Sequence, residues 1–62
     1  MPEKWTGNLI GRMHNEGVTQ KELAYELNLT RPYVSMILNS TRTPAGAKER
    51  FEAAYKAIID RR

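Results

Sequence analysis

Side-chain chemistry needs particular residue types within reach of one another, and the types used for catalysis and metal binding are scarce here. His14 is the single histidine, and the 62 residues include no cysteine. A usual zinc site combines several histidine and cysteine ligands, so we expect no metal. No serine or carboxylate stands at a spacing from His14 that suggests a catalytic triad, and no glycine-rich phosphate loop is present. We therefore expect a protein that is not an enzyme and uses no cofactor.

The charge distribution instead indicates binding to a polyanion. All of the formal net charge of +3 falls between Asn28 and Arg50, where Arg31, Arg42, Lys48 and Arg50 are opposed by Glu49 alone, and the other basic and acidic residues balance. Such a concentrated basic surface is typical of nucleic-acid binding. An ordinary solvated charged face is the alternative on charge alone.

The same composition bears on where the chain acts. The N-terminal residues MPEKWTGN lack the apolar stretch of a signal peptide, and no apolar run is long enough to span a membrane. Absence of cysteine is compatible with a reducing compartment. We expect a cytoplasmic protein with no membrane partner.

Four helices must position these residues. The first is predicted from roughly Glu3 to Asn15 and ends before Gly17; its buried stripe comprises Trp5, Leu9, Ile10 and Met13. The second begins after Thr19, because Glu22 three residues later completes a capping box. Leu23, Ala24 and Leu27 form its inner side, and Asn28 is expected in left-handed geometry.

The third helix has a buried side formed by Val34, Ile37 and Leu38, at i, i+3 and i+4. Its N-terminus has two possible positions. Thr30 could be the N-cap, which would place Arg31 in helical geometry before Pro32; alternatively Arg31 is the cap and Pro32 the first helical residue.

A fourth helix is predicted from Thr43 as N-cap and Pro44 as first residue to about Asp60. Its stripe is Ala47, Phe51, Ala54, Tyr55 and Ile58, with Ile59 at the margin. No pattern of alternating residues predicts a strand. The predicted fold is an all-α, compact four-helix domain that occupies residues 1–62.

Helices 2 and 3, at about residues 19–39, have the lengths and short connection of a helix-turn-helix. The segment TQKELAYELNLTRPYVSMILN closely resembles the signature of the phage repressor and Cro-type, or XRE-type, helix-turn-helix family, and the likeness extends from Leu9 to Phe51. The resemblance implies a lambda-repressor-like fold and sequence-specific binding to operator-like duplex DNA. Two departures are Asn28, where the family often has glycine, and the family's usual fifth helix, for which we find no counterpart before Arg62.

The resemblance also assigns roles. Gln20 matches a glutamine that typically touches a phosphate and supports the recognition helix, Arg31 and Pro32 match the first recognition positions, and Ser35 and Met36 match further groove-facing ones.

Side-chain chemistry gives a compatible set of predicted base contacts, namely Arg31, Pro32, Tyr33, Ser35 and Met36. Arg31 can bond guanine O6 and N7, or alternatively clamp a phosphate. Pro32 and Met36 suit a thymine methyl, or alternatively a partner helix. Tyr33 and Ser35 can donate hydrogen bonds, although Tyr33 could be partly buried on its flank.

Polar residues around this face are predicted to contact phosphates, which set register without specifying sequence. They are Thr19, Gln20, Asn39, Thr41, Arg42 and Lys48. Ordinary solvated polarity is the alternative for each of them.

A homodimer is expected at least on DNA, because useful affinity needs two half-sites about 34 Å apart. Its interface is predicted at Tyr55, Ile58 and Ile59, which could equally close the core of one chain. The predicted function is a transcriptional regulator, in the simplest case a repressor that occupies an operator. A protein-interaction module that uses the exposed face of helix 3 is the alternative; RNA binding is weaker because no aromatic platform is evident.

Overall fold

The computed structural model describes residues 4–40 and 43–62, and within these ranges the chain is all-helical. The helices are α1 (Lys4–Glu16), α2 (Gln20–Leu27), α3 (Arg31–Leu38) and α4 (Ala47–Asp60). The predicted all-α, four-helix fold is thereby confirmed, and the described ranges contain no strand. None of their helices is long and apolar enough to cross a membrane.

Two turns of the same kind join α1 to α2 and α2 to α3. Gly17, with φ of 70°, ends α1, and the amide of Val18 donates to the carbonyl of Met13 at 2.8 Å. Asn28, with φ of 57° and ψ of 42°, ends α2 as predicted, and the amide of Leu29 donates to the carbonyl of Ala24 at 2.9 Å. These bonds define Schellman motifs, in which one left-handed residue reverses the chain and turns the next apolar residue inward. The connection between α2 and α3 is therefore short and fixed.

The core is formed by residues of all four helices, and most of the predicted stripes face it. Leu9, Leu23, Val34 and Leu38 are fully buried. The rings of Trp5 and Phe51 meet edge to face, with centroids 5.8 Å apart. Both α3 and α4 pack against α1 and α2, so the buried side of α3 rests on these two helices.

Two features of α1 differ from the sequence prediction. Ile10 was expected in the buried stripe, but it is 37% exposed, so that prediction is wrong. Thr6 is fully buried in its place, three residues before Leu9. On a helix with 3.6 residues per turn, Ile10 lies at the edge of the stripe while Thr6 falls within it. Thr6 is absent from the predicted stripe only because threonine is a polar residue.

The predicted start of α4 is also wrong. The helix begins at Ala47 after Gly46, so Thr43 is not its cap and Pro44 is not its first residue. Gly46 has φ of 80°, which is incompatible with helical geometry, and the segment before it forms a turn in which the amide of Ala47 donates to the carbonyl of Pro44 at 3.1 Å. The predicted end at Asp60 is confirmed.

Candidate nucleic-acid interface

The N-terminus of α3 is defined by Thr30, which decides between the two possible starts. Thr30 has extended backbone geometry (φ −82°, ψ 151°), and its hydroxyl accepts a hydrogen bond from the amide of Tyr33 at 3.3 Å. Arg31 is thus the first helical residue, and Pro32 is the second. Its missing N–H removes no helical bond there, since the first turn has no carbonyl to receive one. The proline therefore stiffens the turn that carries Arg31.

Two strips of side chains run along the outer face of α3. Arg31, Ser35 and Asn39 follow one another at intervals of four residues and form the polar strip. Pro32 and Met36 form the apolar strip beside it. Residues four apart on a helix are surface neighbours, so each strip is continuous.

Exposure agrees with this arrangement. Met36 is 59% exposed and Tyr33, on the flank of the apolar strip, is 39% exposed. Arg31 and Pro32 are also exposed, and Ser35 is half-buried. The outer face of α3 therefore presents a cation and apolar side chains to solvent.

The polar strip is internally bonded at its far end. The side-chain amide Nδ2 of Asn39 donates to the carbonyl oxygen of Ser35 at 2.8 Å and lies 3.5 Å from Ser35 Oγ. Because a carbonyl can only accept, this bond fixes the Asn39 amide with its nitrogen towards Ser35. Asn39, predicted to contact phosphate, thus also closes the C-terminus of α3.

The basic segment between residues 28 and 50 differs from the rest of the described chain in its ion pairs. Three ion pairs are formed elsewhere: Arg12 with Glu52 at 3.6 Å, Arg61 with Glu26 at 2.6 Å and Arg62 with Glu22 at 2.9 Å. Neither Arg31, Lys48 nor Arg50 forms an ion pair with a described carboxylate. The excess charge that the sequence places between residues 28 and 50 is therefore not neutralised by the described acidic side chains.

A concave surface joins α2 to α3 and is lined by Gln20, Arg31, Pro32 and Ser35. The fold thus brings Gln20, predicted to contact phosphate, beside three of the predicted base-contacting residues. Lys48 is exposed in the first turn of α4. The predicted phosphate contacts Thr41 and Arg42 lie outside the described residues.

Thr19 is engaged in the predicted capping box at the start of α2, which is confirmed. Its hydroxyl accepts from the amide of Glu22, and its own amide donates to Glu22 Oε1, both at 3.1 Å. Arg62 reinforces this junction, since its guanidinium also donates to the carbonyl oxygen of Glu16 at 2.6 Å. The end of α4 is thereby tied to the turn that precedes the helix-turn-helix.

These bonds hold the pKa of Glu22 below its ordinary value of 4.5, because the Thr19 amide and then the Arg62 guanidinium stabilise the carboxylate. A group with a lowered folded-state pKa stabilises the fold above its unfolded pKa, and that contribution is lost as pH falls through the folded value.

We expect Glu22→Gln to reduce the fall in melting temperature between pH 5 and pH 3, about the acidic titration range of glutamate. Glutamine still completes a capping box, so the fold should be retained. Thermal melts followed by circular dichroism give the melting temperature at each pH. Arg62→Ala should keep part of the dependence of melting temperature on pH, because the Thr19 amide still bonds Glu22. Equal dependence on pH in the unchanged protein and in both variants would refute this role of Glu22.

A second concavity beside the candidate interface is not evident from the sequence pattern. Ile10, His14, Val18 and Gln20 line a second concavity between α1 and α2, which adjoins the first at Gln20. The surface beside α3 therefore extends onto α1. The only sequence signal for it is the position of Ile10 at the edge of its stripe.

The predicted dimer residues lie mainly inside the single chain. Tyr55 and Ile58 belong to the buried core, and Ile59 is partly buried against it. The hydroxyl of Tyr55 donates to the carbonyl oxygen of Arg12 at 3.3 Å, and the Arg12 guanidinium lies 5.2 Å from the centre of its ring. Tyr55 and Ile58 thus close the monomer core, the alternative role foreseen for them, and Ile59 alone keeps appreciable surface for a second copy.

Among the described residues, no group of histidine or acidic side chains is arranged to hold a metal ion. Comparison of the chain with protein-family models, curated proteins and solved structures finds no match. The site must therefore be interpreted from its own geometry and chemistry.

Proposed function

We propose that this chain is a sequence-specific duplex DNA-binding regulator that inserts α3 into the major groove. The observation that carries the proposal is the outer face of α3, which presents an arginine without a described ion pair at its tip and exposed side chains behind it. An α-helix fits the major groove of B-DNA, where side chains at its N-terminus meet base edges. The protein acts by binding and not as an enzyme.

The pairing of the cations supports the same proposal. Arg31 on α3 and Lys48 on α4 form no ion pair with a described carboxylate and are available to phosphates, while the arginines of α1 and of the C-terminus are paired with carboxylates. Gln20 and the N-terminus of α2 lie beside α3, where they can fix its register on the DNA backbone. Binding at a promoter or operator then blocks polymerase directly, and the protein works in the cytoplasm with the DNA.

A salt titration tests the proposal. If two copies each neutralise about three phosphates, log K falls with a slope of about −5 against log salt, or roughly a thousandfold between 50 and 200 mM. The measurement is fluorescence anisotropy with a random duplex and with a site selected from a random pool. Failure to bind any duplex at low salt would exclude the proposed function.

The exposed Met36 and Tyr33 favour a second candidate, a protein-interaction module that uses the same face. An apolar protein interface loses little affinity as salt rises, whereas a DNA complex loses much. The titration therefore separates the two functions.

The DNA-bound form is proposed to be a homodimer. One copy presents a single α3 and so contacts one half-site, and dimers of helix-turn-helix proteins bind two half-sites about 34 Å apart.

Ile59→Asp is expected to weaken dimerisation and leave the helical content unchanged, because Ile59 is only partly buried. Sedimentation velocity with and without DNA measures the association, and circular dichroism measures the helicity. Lys56→Asp, at an exposed position of the same helix, is the matched control. Loss of helicity in Ile59→Asp alone would place this side chain in the core and not at an interface.

A further inference from the structure

The outer face of α3 offers hydrogen-bond donors and apolar surface but few acceptors. Arg31 has donors only, and Pro32 has no polar side-chain atom. Ser35 could donate or accept, but the Asn39 amide nitrogen lies 3.5 Å from its Oγ. That contact takes one of the two lone pairs of the hydroxyl, so Ser35 can donate its proton outwards and keeps one lone pair as an acceptor. The other acceptors are Asn39 Oδ1, at the C-terminal end, and the hydroxyl of Tyr33, on the flank.

The bases differ in what they present to such a face. In the major groove guanine offers the acceptors N7 and O6, and thymine offers the acceptor O4 beside a C5 methyl group. Adenine and cytosine each expose an amino donor there. A surface in which Arg31 supplies donors and Pro32 and Met36 supply apolar atoms therefore complements guanine and thymine, the keto bases, better than the amino bases.

The apolar strip distinguishes thymine within this pair. Pro32 and Met36 lie one turn apart, and 59% of the Met36 side chain is exposed. Methionine is flexible and polarisable, which suits contact with a small, well-placed methyl group. Arg31 on the adjacent strip can take the two acceptors of guanine at the same time.

We propose that α3 selects a half-site with keto bases along one strand, in which Arg31 bonds a guanine and Met36 with Pro32 packs on the C5 methyl of a thymine. This inference rests on the proposed function and adds the class of DNA sequence that the same face recognises. The five residue steps from Arg31 to Met36 span about 7.5 Å at about 1.5 Å per step. With about 3.4 Å between base pairs, the guanine and the thymine are about two base-pair steps apart.

The test starts from a site selected from random duplex, with thymines then replaced one at a time by deoxyuridine, which lacks only the methyl group. At the thymine that meets Met36, affinity should fall about fourfold, the effect of one buried methyl-sized group. If cytosine is placed at this position, 5-methylcytosine should bind better than cytosine by a similar factor, because the same methyl is added.

Met36→Ala should remove both differences, and circular dichroism should confirm its fold, since the exposed side chain contributes little to the core. Tyr25→Ala is the matched control, because Tyr25 is 88% exposed on α2 and lines a different concavity with Ile58 and Arg61. It should keep the full preference for the methyl group.

The outcomes separate the two levels of the proposal. Tight, salt-dependent binding to a selected site with no effect of any thymine methyl, or with adenine and cytosine along the strand that α3 contacts, would overturn the base assignment and leave the DNA-binding function in place. Absence of binding to any duplex would overturn both.

Discussion

Arg31→Ala should reduce discrimination at one base pair of the operator by about 5- to 150-fold, the range for a lost bidentate contact. Arg31 begins α3, forms no ion pair with a described carboxylate and is followed by Pro32, which restricts the backbone of the first turn. The backbone that carries Arg31 is then already fixed before its guanidinium meets a base. The measurement is affinity for the selected site and for its single-base variants, at one salt concentration.

Controls for Arg31 follow from its chemistry. Arg31→Lys keeps the charge but loses the planar fork, so it should retain affinity for random duplex and lose discrimination. Lys48→Ala should weaken all sequences equally, as expected for a phosphate contact. An equal loss for every sequence in Arg31→Ala itself would identify Arg31 as a phosphate clamp.

Leu23→Ala should cost about 2–5 kcal/mol of unfolding free energy, the usual range for a leucine removed from a core. Leu23 is fully buried on α2, where it supports the junction with α3. A domain of 62 residues has a total stability of only about 3–9 kcal/mol at 0.05–0.15 kcal/mol per residue. A loss of about 3 kcal/mol would lower the melting temperature by roughly 15–25 °C, and DNA binding would fail with the fold.

Thermal and urea denaturation followed by circular dichroism measure this effect. Tyr25→Ala, two positions further along the same helix, should change the unfolding free energy by no more than about 0.5 kcal/mol, since Tyr25 lies in solvent. A loss below about 1 kcal/mol in Leu23→Ala would mean that the helix-turn-helix does not depend on this packing.

Local signals in the sequence predicted the elements that position the site. The capping box at Thr19 and Glu22, the stop at Gly17 and the left-handed Asn28 depend on residues at most a few positions apart, so their geometry is encoded within a single turn of chain. The buried side of α3 follows from periodicity in the same way. The predicted start of α4 is wrong because two helix-start signals lie close together, namely Thr43 followed by Pro44, and Gly46. Only one of them can precede the first helical residue, and in the structure it is Gly46.

The sequence by itself determined an all-helical chain, the two faces of α3 and a basic segment between Asn28 and Arg50. Tertiary structure decided which cations stay available, because partners such as Glu26 and Arg61 are far apart in the chain and meet only when α2 packs on α4. It likewise placed Gln20 beside Arg31, Pro32 and Ser35, and enclosed Tyr55 and Ile58 in the core. Periodicity shows which side of a helix is apolar, but the element that covers that side is fixed only when the helices pack together.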